Sequence, residues 1–430
     1  MGMSLGFHIV FAVLGVGIPL LMAIAEGIGL WRRDQIWMQL ARRWSAAFGI
    51  LFAIGAVSGT VLSFELGLLW PGFMAFSGSI VGLPFSAEGF AFFLEAIFLG
   101  LYLYGWNRLR PVHHWLAGLP VAASGAASSI FVVMANSWMN TPSGFKLTDG
   151  RLTSVDPVAA ALNPSTPTET IHMLVSAYVV TGFVVASVYA VGLLRGRNDA
   201  FHRRAMMLGM AMAAVAILLA GITGDNSARF VYGAQPAKFA AMEGLYATTR
   251  GAPLHLGGIP SDSQHRVLFA IEVPYGLSLL AAFDPNAEIR GLDSFPADQR
   301  PNPVLVHLSF DTMVGLGTGL GLLALVFWLS VLRFRRISSS RWLLWLVVIG
   351  GPAAVITMEA GWFVTEFGRQ PWIVYGIIRT TAAATSAPGL GILFAVFLAI
   401  YIALAVTLSR LLLVLARHNR EQRVAQESEA

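Results

Sequence analysis

The stretch GWFVTEFGRQPW at 361–372 holds Glu366 and Arg369 between Trp362 and Trp372, with Glu359 just ahead, at the end of a strongly apolar segment. An ionisable group at membrane depth costs about 2.5–3.5 kcal/mol on insertion scales, so one retained there serves a function. Gly368 and Pro371 flank Arg369. An acid, a guanidinium and indoles at a membrane boundary suit a buried anionic cofactor better than lipid anchoring. His8, His172 and His307 are the histidines that fall in apolar segments. An imidazole with a thioether, as His172 with Met313 would supply, is a standard axial pair for an electron-transfer haem. Glu88 and Glu95 are seven apart and share one helix face about two turns apart. Stacked acids suit a proton relay, because protons hop between titratable groups but do not cross hydrocarbon. In QPAKFAAMEG at 235–244, Lys238 and Glu243 could bind a polar head group and accept its protons.

Each of these residues has a blander reading. His172 could be a hydrogen-bonded core histidine, Met313 core filling, and Glu366 the salt-bridge partner of Arg369. Glu88 and Glu95 could be protonated glutamates that only bind neighbouring helices. Lys238 and Glu243 taken alone are an ordinary solvated pair. His113, His114, His202 and His418 fall in loops on the Arg-rich side and His255 and His265 in the large hydrophilic insertion, where solvated roles are expected.

The elements that must position these groups are membrane helices. Of 430 residues, 56% are hydrophobic and 12% charged, the profile of a polytopic membrane protein and not of a soluble enzyme. With no cysteine, iron–sulfur clusters, thiolate-ligated haem and disulfides are excluded. The first apolar segment lacks a charged leader and a cleavage site and is expected to be retained. Nine spans are predicted near 5–28, 46–69, 87–107, 115–137, 167–194, 205–225, 303–332, 342–364 and 390–415. Thr166, Pro167 and Glu169 predict a capping box at the fifth, and Asn302-Pro303 starts the seventh. The fold class is therefore all-α integral membrane. Residues 1–225 carry the first six spans, 226–302 a large extracytoplasmic loop, 303–416 the last three and 417–430 a tail. The Gly-rich run at 315–321 is expected to serve close helix packing.

Arginine sets the orientation. Arg32, Arg33, Arg42, Arg43, Arg108, Arg110, Arg195, Arg197, Arg203, Arg204, Arg333, Arg335, Arg336 and Arg341 follow the odd-numbered spans, and Arg417, Arg420 and Arg423 follow the last. The positive-inside rule makes these cytoplasmic. The net charge of +5 is thus a topology signal and not one for nucleic acid. The N-terminus and the loop 70–86 then face outside and the C-terminus is cytoplasmic. His8, His172, Met313 and Glu366 all fall in the outer half, with Glu88 opening the third span there and Glu95 deeper. His172 is about five residues, roughly 7–8 Å, into its helix.

At this point the chain resembles subunit I of the cytochrome bd-type quinol oxidases along essentially its whole length. The strings are GFHIVFAVLGVGIPL (6–20), AEGFAFFLEAIF (87–98), ANSWMNTPSG (135–144), IHMLVSAYVVTG (171–182), QPAKFAAMEG (235–244), FDTMVGLG (310–317) and EAGWFVTEFGRQPW (359–372). The resemblance implies a bacterial cytoplasmic (inner) membrane terminal oxidase that takes electrons from quinol at the outer face. It reduces oxygen to water with cytoplasmic protons, separating charge without a pump. Its cofactors would be two haem b and a third haem, d or b. His172 and Met313 would ligate the low-spin haem b, Glu366 the high-spin haem b and His8 the third. Lys238 and Glu243 would bind and deprotonate quinol, and Glu88 and Glu95 would belong to the proton-delivery or haem-proximal set. Arg369 would contact propionates and Trp362 would lie between haems. Partners would be quinol, oxygen, the lipid bilayer, a second large subunit and, as an option, small single-span subunits.

Several positions depart from that pattern. Asp311 stands where an Arg is usual, Ala96 where a Ser is usual, and FELGLLW at 64–70 replaces a more polar string. The external loop is short and the N-terminus starts about ten residues late. These departures point to the cyanide-insensitive branch. A haem–copper oxidase or a dihaem cytochrome b would need more buried histidines. A proton-coupled secondary transporter, with Glu88 and Glu95 as its coupling sites, would need two matched halves with broken helices, and no such symmetry is seen.

Overall fold

A computed structural model describes residues 1–334 and 340–428. Arg335 and Arg336 lie outside the described residues, as do the side chains of His418, Arg420 and Arg423. Among the described residues, nine helices are long and apolar enough to cross a membrane. They are α1 (Gly2–Arg32), α2 (Gln35–Leu69), α3 (Pro71–Gly105), α4 (Pro111–Asn140), α5 (Thr166–Leu194), α6 (Ala200–Ala234) and, after the short α7 (Pro236–Met242), α8 (Pro303–Phe334), α9 (Arg341–Arg369) and α10 (Leu390–Ser428). The described strands form only two-stranded antiparallel pairs.

Local chemistry explains the joints. Arg33 takes a left-handed φ of 51° and returns its N–H to the Gly29 and Leu30 carbonyls, ending α1. Asp34 then caps α2 by accepting from the Ile36 N–H at 3.0 Å. Gly29 packs tightly against the start of α2, where a Cβ would lie 2.7 Å from Met38 Sδ and 3.1 Å from the Met38 N. Asn302 caps α8 as predicted, accepting from the Leu305 N–H at 3.1 Å.

Three expectations change. The segment 70–86 is not a loop: only Trp70 separates α2 from α3, and Pro71 opens α3 at its first turn. The segment is apolar enough to continue as helix through Pro84, so Glu88 lies in the interior of α3 and does not open it. The capping box at α5 does not form, because Glu169 turns to Asn140 instead, accepting from Nδ2 at 3.0 Å. Helix α6 runs on to Ala234, so residues 226–234 of the expected loop are helical. Asp225 is therefore inside a helix, paired with Arg229 one turn later at 3.0 Å.

The chain divides into two compact units. One is Met1–Pro71, Gly89–Ser128 and Thr385–Ala430, and the other is Gly72–Glu88 and Ser129–Ala384. In the first, α1 lies along α2, and α10 packs on both. In the second, α5 packs between α6 and α9, and α8 lies along α9. At the α5–α6 seam, Gly182 and Gly209 bring the two backbones together. A Cβ on Gly182 would lie 2.7 Å from the Gly209 carbonyl oxygen, and one on Gly209 would lie 2.8 Å from that of Gly182. The Gly-rich run 315–321 makes no such approach: a Cβ at Gly315 or Gly319 would meet nothing within 4 Å. Nothing in the structure explains that run.

After α6 the second unit folds back on itself. Residues 249–250 pair with 288–289, 254–256 with 271–273, and 259–261 with 266–268. This cover buries α7 from Ala237 to Met242. Phe239 packs with Leu245, Leu277 and Ile289, while Met242 packs with Tyr246, Val306 and Val364.

Candidate functional site

Two histidines are held by the same device. His172 Nδ1 lies 2.9 Å from the Thr223 hydroxyl across the α5–α6 seam. That hydroxyl already donates to the Leu219 carbonyl at 2.9 Å. It therefore accepts from Nδ1–H, and the lone pair falls on Nε2. His8 repeats the arrangement between α1 and α2: Nδ1 is 2.9 Å from Ser58 Oγ, which donates to the Gly55 carbonyl at 3.0 Å. Nε2 of neither ring makes a hydrogen bond among the described residues. A fixed tautomer with a bare Nε2 is how a histidine is prepared for a metal. Glycine keeps room beside each ring: a Cβ at Gly224 would lie 3.3 Å from His172 Cε1, and one at Gly59 would lie 3.1 Å from His8 Cε1. Met313 is similar, since a Cβ at Gly361 would lie 2.9 Å from its Sδ. Imidazole and thioether are the donors an iron porphyrin takes, so these residues fit the group.

At the end of α9, Arg369 is 1% exposed and donates to Glu366 Oε2 at 2.8 Å. Asn136 Nδ2 donates to the other oxygen of Glu366 at 3.2 Å. Asn140 ties the group together: its Oδ1 accepts from Arg369 at 3.4 Å and its Nδ2 donates to Asn136 Oδ1 at 2.9 Å and to Glu169. Gln235 Nε2 donates to the Asn140 carbonyl at 2.8 Å. The salt bridge foreseen for Glu366 is therefore present, yet each carboxylate oxygen keeps a lone pair. Arg369 Nε is buried with no hydrogen-bond partner, which suits a further carboxylate. Trp362 is half-buried, 5.2 Å from the Phe363 ring, and Glu359 Oε1 is buried without a partner.

Lys238 and Glu243 are not a solvated pair, because α7 and the turn after it are covered. Lys238 lies across Gly368, where a Cβ would come within 2.7 Å of its Cγ. Burial pulls its ammonium down to about 8; Glu169 and Glu366 resist this and Arg369 adds to it. Burial pushes Glu243 up to about 8, and the Asp311 charge adds to the push. His255 also leaves solvent, donating from Nδ1 to the Glu243 carbonyl at 2.9 Å. His265 stays exposed, beside Asp293.

Glu88 and Glu95 both lie on α3, the first half-buried and the second 5% exposed. Gly125 of α4 leaves room for Glu95, since a Cβ there would lie 3.1 Å from Oε1. Of the histidines expected in solvated loops, His113 is exposed, but His114 and His202 are buried. Helix α4 begins at Pro111, which turns the His114 ring inward onto Glu26 at 2.6 Å and the Tyr102 carbonyl at 2.9 Å. Tyr102 donates to the other oxygen of Glu26 at 2.6 Å. His202 bonds the Asp199 carboxylate that caps α6. Glu26 could have been noticed as a lone acid in an apolar run, as could Asn136 and Asn140 in ANSWMN; their partners could not.

The family model for cytochrome bd terminal oxidase subunit I matches residues 1–420. A Bacillus subtilis (strain 168) protein, provisionally named a cytochrome bd menaquinol oxidase subunit I, is 38% identical over 96% of this chain and 94% of its own length. The cytochrome bd-II ubiquinol oxidase subunit 1 of Escherichia coli (strain K12) is 30% identical over 88% and 87%. The solved structure of bd oxidase from Geobacillus thermodenitrificans superposes with a TM-score of 0.93 at 41% identity, covering 97% of this chain and 96% of the other. Sequence and fold agree across nearly the full length of both partners, and the chain therefore belongs to the cytochrome bd terminal oxidase subunit I family.

Proposed function

We propose how the labour is divided in this haem-containing quinol oxidase subunit. Residues 226–302, the first nine of which continue α6, form the quinol-binding segment, 1–225 and 303–416 the membrane-spanning parts and 417–430 a cytoplasmic tail. Lys238 and Glu243 receive the quinol on the outer side. His172 and Met313 hold a low-spin haem b, Glu366 a high-spin haem b, and His8 a third haem, d or b, while Arg369 pairs with propionates. Bound haem supplies one-electron transfer and the place where oxygen is reduced. The chain's own residues orient, hold charge and move protons. The Lys238 ammonium donates to a quinol oxygen, and Glu243, once ionised, takes a proton. Both titrate near the working pH, which suits groups that must exchange protons. Glu95 and Glu88 feed protons from the cytoplasmic side, and a second large subunit completes the enzyme. Family membership leaves the transporter reading without support.

The observation that carries this reading is Lys238 lying across Gly368, next to Arg369 and within electrostatic reach of Glu366. Lys238 and the Glu366–Arg369 pair then share one packed polar cluster. Lys238→Ala should raise the quinol KM at least tenfold and leave the dithionite-reduced spectrum unchanged. If only the oxygen kinetics move, Lys238 does not bind quinol.

A further inference from the structure

We propose that His307 is a third quinol-contacting group, a base that takes one of the two quinol protons; this rests on the quinol lying at Lys238 and Glu243. His307 is 1% exposed, near the start of α8. Its Nδ1 is 2.7 Å from the Met242 carbonyl oxygen, which can only accept, so Nδ1 carries the proton. Nε2 is the free position. It is buried with no hydrogen-bond partner, 3.3 Å from Asp311 Oδ2, which is likewise buried and unpartnered. A bare imidazole nitrogen and a carboxylate oxygen cannot satisfy each other without a proton between them. Unmade hydrogen bonds of this kind are expensive. Neither atom makes a hydrogen bond, so a hydroxyl brought here meets a nitrogen and a carboxylate oxygen that can take its proton.

The surroundings join this place to Glu243. Gly244 has a φ of +63°, and a Cβ there would lie 3.5 Å from His307 Cε1 and Nδ1. The backbone just after Glu243 thus runs along the edge of the ring. The Asp311 charge is close enough to be felt at Glu243. His255 holds the Glu243 carbonyl from the other side, with its own Nε2 3.8 Å from Glu272. The charged and titratable groups around His307 are therefore Asp311 on its own helix, Glu243 after α7, and His255 and Glu272 on the paired strands.

The chemistry balances. A quinol becoming a quinone loses two electrons and two protons. The O–H bond facing His307 breaks, and its proton moves to Nε2, leaving an imidazolium beside the Asp311 carboxylate. The other O–H gives its proton to Glu243. The two electrons would be taken up by the oxidase, whose bound haem would supply the one-electron transfer and whose oxygen is the oxidant.

The test uses the purified complex with His307→Asn, Asp311→Asn and Glu243→Gln, and stopped-flow reduction of the low-spin haem by menadiol and by ubiquinol-1. His307→Asn should slow haem reduction at least twentyfold at saturating quinol, with less than a threefold change in KM and an unchanged dithionite-reduced spectrum. A shifted spectrum together with a raised KM would mean that His307 only supports the fold, and the proposal fails. A normal rate in His307→Asn with a slow Glu243→Gln removes His307 but keeps the site. Normal rates in both remove the site itself. Should His307→Asn not assemble, Asp311→Asn decides: at least fivefold slower reduction with a normal spectrum is expected, and an unchanged rate overturns the proposal.

Discussion

His172 and His8 show how little it takes to prepare an imidazole. A hydroxyl that has already donated to its own helix backbone can only accept, so it takes the Nδ1–H and orients the ring. The histidines themselves are legible in sequence. The hydroxyls are not, because Thr223 lies 51 positions from His172 and Ser58 lies 50 from His8. Glu243 and Lys238 yield a pH prediction. Glu243 must be ionised to accept a proton, so kcat/KM for quinol should rise with pH as Glu243 titrates near 8. Lys238 must be charged to donate, so activity should fall again as Lys238 titrates, also near 8. The expected profile is a narrow bell, and Glu243→Gln should lose its acid limb. A steady-state series that stays flat through this range would remove both groups from the free enzyme's essential set.

At the scale of elements, the nine spans were legible because about 20 apolar residues are needed to cross hydrocarbon, and little else in a chain looks like that. Their ends were less legible. The stretch after Trp70 carries no Lys or Arg and reads equally well as a short outer loop or as more helix; Pro71 and the apolar run after it make it helix. Helix contacts were misread too, with the glycines at 315–321 standing in for the real seam at Gly182 and Gly209. Composition shows that a helix is rich in glycine but not which glycine meets another backbone. Overpacking a tight contact costs about 1–3 kcal/mol. Gly209→Val should therefore lower the thermal midpoint of the purified complex by several degrees and loosen the haem proposed for His172, since His172 and Thr223 sit on the same two helices. A matching substitution at Gly319, where a Cβ meets nothing within 4 Å, should do neither.

For the whole molecule, the distribution of Arg predicts the orientation, and the absence of cysteine makes a clean test possible. Ser263→Cys, in the segment proposed to bind quinol, should react with an impermeant maleimide in intact spheroplasts. Asn198→Cys, between α5 and α6, should react only after permeabilisation; the reverse pattern would invert the topology. What the linear chain determined alone is the membrane setting, the number of spans and the types of the candidate ligands, because hydropathy and side-chain chemistry are properties of single residues. Only the tertiary structure decided which hydroxyl faces which imidazole, that Lys238 crosses Gly368, that His114 closes on Glu26, and that His307 Nε2 stands 3.3 Å from Asp311 Oδ2. All but the last of those relations depend on where distant segments meet, and hydrogen bonds a few ångströms long cannot be read from positions far apart in sequence.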